Sequence, residues 1–327
     1  MPTLVRNKQD GALVHTNDYR PSDFYQESVD EKMHSIRTPA GELVLQQWHF
    51  EGIRIGYSQS VVHLPAPLFW QGDMELVQLL FNLRGVSTFE GTVLGDLSFR
   101  PMQHTLFYSK GFEGILQAEK GIHESVVIQF AKESFLNLME ETTEPFRRMG
   151  EAIAKGKAVK IAPHPLPISL PLQTILAEII SCPYMGKMKR IFLYAKTMEI
   201  LMLLAEAYQN YALHQGEGNL PAADKQRIIF ARDYLIEHLQ YPPTIPELSK
   251  IVGINECKLK KGFRVLYQQS LFSYLTDYRM EMAKAALLEK QKNISELSYD
   301  LGYSSPQHFS TAFKKKFGIA PSQIKKR

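Results

Sequence analysis

Two clusters of side chains carry most of the usable chemistry. Lys258, Lys260, Lys261 and Arg264 fall within one short stretch, with Cys257 at its head. Gln307, His308, Thr311, Lys314, Lys315 and Lys316 fall within another. Ammonium and guanidinium groups neutralise phosphates, whereas amides, imidazoles and hydroxyls hydrogen-bond to base edges. A lysine run by itself is usually only a solvated face. Cys257 is small enough to sit beside a thymine methyl, and it is also a potential redox handle.

Other chemistries lack their residues. Between 40 and 130 the histidines are His49, His63, His104 and His123, and no two form a His-x-His pair. The two cysteines, Cys182 and Cys257, have no metal-site spacing. There is no Gly-x-Ser-x-Gly elbow, no Gly-x-Gly-x-x-Gly loop and no Walker loop. We therefore expect no catalytic residue, no metal site and no cofactor. A cupin-like metal-dependent enzyme carrying a nucleic-acid tether is the enzymatic alternative. Trp48, Arg54, Tyr57 and Trp70, with Phe69, offer aromatic faces and one guanidinium. Such a set would suit a planar or anionic small-molecule effector, although Trp48 and Phe69 could equally fill a core.

The elements that must position the two clusters are repeated. Ile245-Pro246-Glu247-Leu248-Ser249 recurs as Ile294-Ser295-Glu296-Leu297-Ser298, and Val252-Gly253-Ile254 as Leu301-Gly302-Tyr303. Leu259, Phe263 and Tyr267 then correspond to Phe309, Phe313 and Phe317, each set spaced for one helical face. Each copy reads as helix, glycine-containing turn, helix. Thr244 with Glu247, and Asn293 with Glu296, read as capping boxes that start the first helices. The two helix-turn-helix units span 244–267 and 293–317, joined by a helix over 274–290. A connecting helix of that length spans roughly 25 Å. It could place both second helices in successive major-groove segments of one DNA face.

The formal net charge of +4 conceals an asymmetry. Residues 1–220 hold 20 Lys+Arg against 24 Asp+Glu, whereas residues 221–327 hold 18 against 10. A basic C-terminal third points to a polyanionic partner. Residues 40–130 read as strands at 43–50, 53–60, 74–83, 87–90, 103–108 and 126–130, separated by Gly and Pro. Helices are expected over 133–155, 172–181 and 187–213, with a loop over 162–171. The last of these helices is nearly apolar all round near Ile200, Leu201, Leu204 and Tyr208, so these residues are the expected dimer interface. Residues 215–219 have linker composition. The fold expected is α+β. An N-terminal β-barrel or sandwich with dimerisation helices (1–215, β-rich over 40–130 and helical over 133–214) precedes a linker (216–223) and an all-α domain (224–327). With no long apolar run and few cysteines, a cytoplasmic location is expected and a membrane partner is not.

From Asp224 to Arg327 the chain resembles the AraC/XylS family of bacterial transcription regulators. The resemblance is carried by 294–303 and by His308-Phe309-Ser310-Thr311-Ala312-Phe313, closing on Phe317-Gly318-Ile319-Ala320-Pro321-Ser322. Tyr278-Arg279, Ala283 and Leu287-Leu288 are similar to its linker-helix pattern. The resemblance implies base-reading positions at Cys257, Lys260 and Lys261 on the first unit and at Gln307, His308 and Thr311 on the second. The neighbouring phosphate contacts would be Lys258, Arg264, Ser305, Lys314 and Lys315. It further implies promoter DNA and RNA polymerase as partners, a cupin-like N-terminal domain that senses an effector, and a homodimer. An effector-responsive activator is the expected mode, although the sequence does not give the sign of control. Three departures stand out: Gln268 where the family commonly has Gly, Gly262 within the first reader helix, and Thr311 where Arg is frequent. Leu79-Leu80-Phe81-Asn82-Leu83-Arg84-Gly85 followed by Gly91 is similar to the sensing domains of some siderophore-responsive members. A ligand-independent dimeric DNA-binding protein is the remaining alternative.

Overall fold

The computed structural model describes residues 3–8, 11–17, 24, 29–139, 142–214, 221–267, 269–288 and 293–324. The chain divides into two compact units, Met1–Asn210 and Tyr211–Arg327. The linker composition at 215–219, together with Gln268 and the basic tail 325–327, lies outside the described residues.

The first unit is built on one long-stranded antiparallel sheet. Its strands are β1 (Thr3–Asn7), β2 (Leu13–Asn17), β3 (Asp30–Thr38), β4 (Gly41–Phe50), β5 (Ile53–Val62) and β6 (Leu68–Arg84). They continue as β7 (Ser87–Glu90), β8 (Leu97–Phe99), β9 (Gln103–Ala118), β10 (Gly121–Ala131), β11 (Val159–Lys160) and β12 (Leu166–Pro167). The main path runs β3-β4-β5-β10-β6-β9-β7-β8. All twelve strands are joined by pairing into a single connected sheet. Among the described residues no ladder joins β3 to β8, so the expected barrel is not closed by pairing.

Several expectations need correction. The strand expected over 103–108 continues through Gly111 to Ala118, because a register shift between Gly72 and Glu75 on its partner lets the ladder resume. The proline-rich loop over 162–171 contains β12, an edge pairing at Leu166 and Pro167 that tolerates proline's missing N–H. β1, β2, β3, β8 and β11 lie outside the expected strands because they are short or polar; β3, for example, alternates half-buried and exposed along Asp30–Thr38.

The helix expected over 133–155 is two helices, α1 (Lys132–Met139) and α2 (Glu144–Ala154). Pro145 lies in the first turn of α2, where the N–H it lacks would have no helical partner. α3 (Leu170–Ile180) and α4 (Gly186–His214) follow.

Strand alternation decides what the helices cover. Trp48 pairs with Ile55, Ile55 with Ile128, and Ile128 with Leu79, so these share one face. The same face holds Phe81 opposite His104 and Phe130 opposite Val77. Phe130 meets Phe135 of α1, Phe135 meets Phe146 of α2, and His104 meets Tyr208 of α4. Lys189 of α4 lies over the Trp48 ring and pairs with Glu31.

Here the dimer expectation also changes. Ile200, Leu201, Leu204 and Tyr208 are all buried within the single chain. Their side of α4 packs inward, as its near-continuous apolarity demands. The outward side carries Met188, Ile191, Ala195 and Met202, with Met202 64% exposed.

The second unit is all helical: α5 (Ala222–Glu237), α6 (Ile245–Val252), α7 (Glu256–Tyr267), α8 (Leu271–Leu288), α9 (Ile294–Asp300) and α10 (Pro306–Phe317). A short 3-10 turn, Pro321–Gln323, closes it. Residues 222 and 223, expected in the linker, are already helical. Two cores form. Leu248, Val252, Leu259, Phe263, Tyr267, Tyr274 and Leu275 build one with α5. Met280, Ala283, Leu297, Leu301, Phe309 and Phe313 build the other. α8 thus gives its first half to one core and its second half to the next.

Candidate nucleic-acid interface

Both first helices begin as capping boxes. The Thr244 N–H donates to Glu247 Oε2 at 2.8 Å, and the Glu247 N–H donates to Thr244 Oγ1 at 3.4 Å. The Glu296 N–H donates to Asn293 Oδ1 at 2.9 Å and the Asn293 N–H to Glu296 Oε2 at 3.4 Å. The backbone and hydroxyl hydrogen bonds from Thr244 hold the Glu247 carboxyl below its ordinary range. Each box satisfies N–H groups that the helix cannot, an effect of about 1 kcal/mol. Gly253 and Gly302 turn the chain at φ of 70° and 74°.

The second helices are presented differently. α7 is capped by Asn255, whose Oδ1 accepts from the Lys258 N–H at 2.8 Å. α10 is capped by Ser305, whose Oγ accepts from the His308 N–H at 3.2 Å. Leu259, Phe263 and Tyr267 turn inward on α7, and Phe309 and Phe313 on α10. The periodicity then leaves Cys257, Lys260, Lys261 and Arg264 exposed along one side of α7. On α10 the exposed side carries Gln307, His308, Thr311, Lys314 and Lys315. Gly262 is buried on the inner side of α7.

Not every basic side chain points freely outward. Lys258 Nζ lies 3.0 Å from Asp224 Oδ2 of α5, and that carboxylate is nearly buried. Lys258 is therefore tied to the protein's own scaffold. Lys260 pairs with Glu256 at 3.1 Å one turn away, a weak exposed contact that a phosphate or base can replace. Lys316 pairs with Asp277 at 2.8 Å. The Ser305 oxygen serves its own helix as a cap. His308 Nδ1 lies 2.9 Å from Ser304 Oγ, and the Thr311 hydroxyl donates to the Gln307 carbonyl at 3.0 Å, which orients both.

The four expected effector residues do not converge. Arg54 pairs with His49 and Tyr57 with Gln46, and their odd separation puts them on opposite faces of the sheet. Trp48 is buried beneath α4. Burial first, then the hydrogen bond that it donates to Glu124, pushes the Tyr57 hydroxyl well above the usual range. Trp70 sits edge-on to Phe89 at 6.3 Å.

The Arg54 face is the polar one, and periodicity alone did not reveal it. It carries Gln47, His49, Gln78 and Gln129, with the Gln129 amide donating to Gln78 Oε1 at 2.8 Å. His49 is fully buried there, and desolvation first, then the Arg54 charge, lowers its pKa to about 4. His15 and His34 meet edge-to-face at 5.7 Å, and burial, His34 and Arg54 hold His15 below its ordinary value. Among the described residues no three His, Cys, Asp or Glu side chains are grouped to hold a metal. Nor is any described helix long and apolar enough to cross a membrane.

Residues 248–327 match the family described as "Helix-turn-helix domain". Residues 62–220 match "Regulatory protein PchR N-terminal domain". The chain is 31% identical over 94 residues to the regulatory protein SoxS of Escherichia coli, covering 29% of this chain and 88% of SoxS. The chain belongs to the AraC/XylS family of transcription regulators. It is 35% identical over 123 residues to the regulatory protein PchR of Pseudomonas aeruginosa, covering 38% of this chain and 42% of PchR. Less than half of PchR is therefore aligned. The C-terminal domain of AraT, a response regulator from Geobacillus stearothermophilus, is similar over 32% of this chain and 85% of that one, at 25% identity and a TM-score of 0.28. The relatives named here are regulators, so the enzymatic alternative falls away.

Proposed function

We propose that this family member is an effector-responsive regulator that binds promoter DNA as a homodimer and reads two successive major-groove segments with α7 and α10. The observation that carries this reading is the matched presentation of the two second helices. Each is capped at its start, packed through aromatic residues on its inner side, and exposed along a side of basic and hydrogen-bonding residues. Cys257, Lys260 and Lys261, and Gln307, His308 and Thr311, lie nearest the helix starts, where base edges are within reach. Arg264, Lys314 and Lys315 lie further along and suit phosphates. Selection of bound duplexes from a random DNA library tests this directly. Recovery of no enriched sequence at physiological salt would refute it.

The polar sheet face supports the sensing part. Gln47, His49, Arg54, Gln78 and Gln129 offer donors and a guanidinium to a polar or anionic small molecule. This set replaces Trp48, Tyr57 and Trp70 as the proposed effector site, and Arg54 is retained. A ligand bound there raises the apparent stability of the folded chain. A small-molecule thermal-shift screen in which no anionic compound raises Tm would favour the ligand-independent reading.

For the homodimer, the outward stripe of α4 replaces the buried one. Met188, Ile191, Ala195 and Met202 recur at helical spacing and leave apolar surface in water. Activation through RNA polymerase is the proposed output, tested by transcription from a selected site with and without the protein.

A further inference from the structure

α8 is gripped at its middle from both sides. On one side the Asp277 carboxylate accepts from two groups. Its Oδ1 accepts from Lys316 Nζ at 2.8 Å, and Lys316 lies in the last turn of α10. Its Oδ2 accepts from Gln269 Nε2 at 3.2 Å, two residues beyond the end of α7. One carboxylate thus bridges the C-terminal ends of both second helices.

On the other side, about 200° around the helix, Arg279 makes a second bridge. Its Nε and an Nη donate to the Leu239 carbonyl, the former at 3.1 Å. Leu239 lies between α5 and α6 and packs on the first core. The same guanidinium lies 5.7 Å from the ring centroid of Tyr303, which packs on the second core in the turn before α10. Gln240 adds a hydrogen bond to the Tyr299 carbonyl at 3.2 Å.

Gly302 lets these parts close. A Cβ there would meet the Gln240 carbonyl oxygen, and would lie 2.6 Å from Arg279 Nη2 and 2.9 Å from the Leu239 carbonyl oxygen. Two cores joined by one bare helix could flex about it. With both of its sides tied to both helix-turn-helix units, this helix has little freedom to do so.

We infer that Asp277 and Arg279 are positioning residues that set the separation of the two reader helices, so that half-site spacing is imposed by the protein. The inference rests on the reading of α7 and α10 as DNA readers. The charges also have a use in place. Lys316 is held by its ion pair to α8, whereas its neighbours Lys314 and Lys315 are exposed and suit phosphates.

The test uses the full chain and duplexes that it selects from a random library. Wild type is expected to recover one spacing between its two half-sites and to lose about tenfold in affinity when one base pair is inserted between them. D277A and R279M, each first shown to fold by its thermal transition, are expected to recover several spacings and to lose under about threefold on the same insertion. D277N can keep a hydrogen bond to Lys316 through its oxygen and one to Gln269 once that amide turns to present its own oxygen, and should restore most of the wild-type penalty. A residue that only stabilised the unit would change Tm or affinity but not the spacing distribution. Folded variants that select the wild-type spacing with the wild-type penalty would overturn the inference. Should R279M fail to fold, D277A decides alone, because its ion pair is partly solvated. A wild-type chain that enriches no sequence would fail the DNA-reading proposal itself.

Discussion

The Tyr208 hydroxyl, on α4, lies 3.2 Å from Nδ1 of His104, on β9, and both side chains are buried. The contact joins the long helix to the sheet across the apolar face. Its neighbours are Phe81 and Phe146. Desolvation holds His104 neutral, with a pKa lowered to about 3.

Acid should therefore loosen the first unit before carboxylates are titrated. The folded pKa values of His104 and His49, about 3 and about 4, lie below the unfolded value of 6.5. Between those limits the unfolded chain binds more protons, so stability is full above pH 6.5 and falls as pH drops toward 4. The loss should be on the order of 5 kcal/mol by pH 4.5, divided nearly equally between the two histidines. H104Q, followed by denaturant unfolding across this range, should be less stable at pH 7 but show a shallower slope. An unchanged slope in both H104Q and H49Q would remove this account.

Lysines on α7 and α10 should separate by position. K260A is expected to weaken binding to a selected site by about 1–3 kcal/mol and to relax preference at a few base pairs. K315A should weaken all sequences alike and reduce the salt slope by roughly one. Titrations at several salt concentrations, on selected and scrambled duplexes, distinguish the two. A uniform loss for K260A would make it a phosphate contact.

Lys258 should behave as a structural group despite its place on α7. Its ammonium serves the nearly buried Asp224, which Arg227 also approaches at 3.4 Å. K258A is expected to lower the stability of the second unit by about 1 kcal/mol while leaving the salt slope nearly unchanged. A slope change as large as that of K315A would restore it to the phosphate set.

Charge placed on the two sides of α4 should have opposite consequences. M188D and M202D are expected to leave the fold intact and to reduce the mass measured by sedimentation from dimer toward monomer. L204D puts a carboxylate into the core and should unfold the first unit, at a cost of several kcal/mol. Folded L204D, or M188D/M202D with wild-type mass, would count against this division.

The repeated C-terminal elements were legible because their signals are local. Capping boxes, turn glycines and i, i+4, i+8 apolar spacing act within a few residues of chain. Thr244, Asn293, Gly253 and Gly302 consequently occupy the roles that their types suggest. The side of α7 and α10 left exposed follows from the same periodicity. Cys257, Lys260, Lys261, Gln307, His308 and Thr311 reach solvent because Leu259, Phe263, Phe309 and Phe313 cannot.

What sequence could not determine was set by groups far apart along the chain. Composition made Trp48, Arg54, Tyr57 and Trp70 look like one site, but strand parity separated Arg54 from Tyr57. Apolar residues all round α4 did not say which side faced the sheet; the ladder placing His104 beside Phe81 decided it. Likewise, nothing in the spacing of the lysines distinguished Lys258 from Lys315. Sequence by itself determined the family, the two repeated helix pairs and the outward faces of α7 and α10, because helix periodicity and capping are short-range. Only tertiary structure decided which cations are held by Asp224 and Asp277, and how Arg279 joins the two cores. Ion pairs and buried hydrogen bonds depend on which surfaces meet, and in this chain the bridge from Leu239 to Tyr303 crosses more than sixty residues.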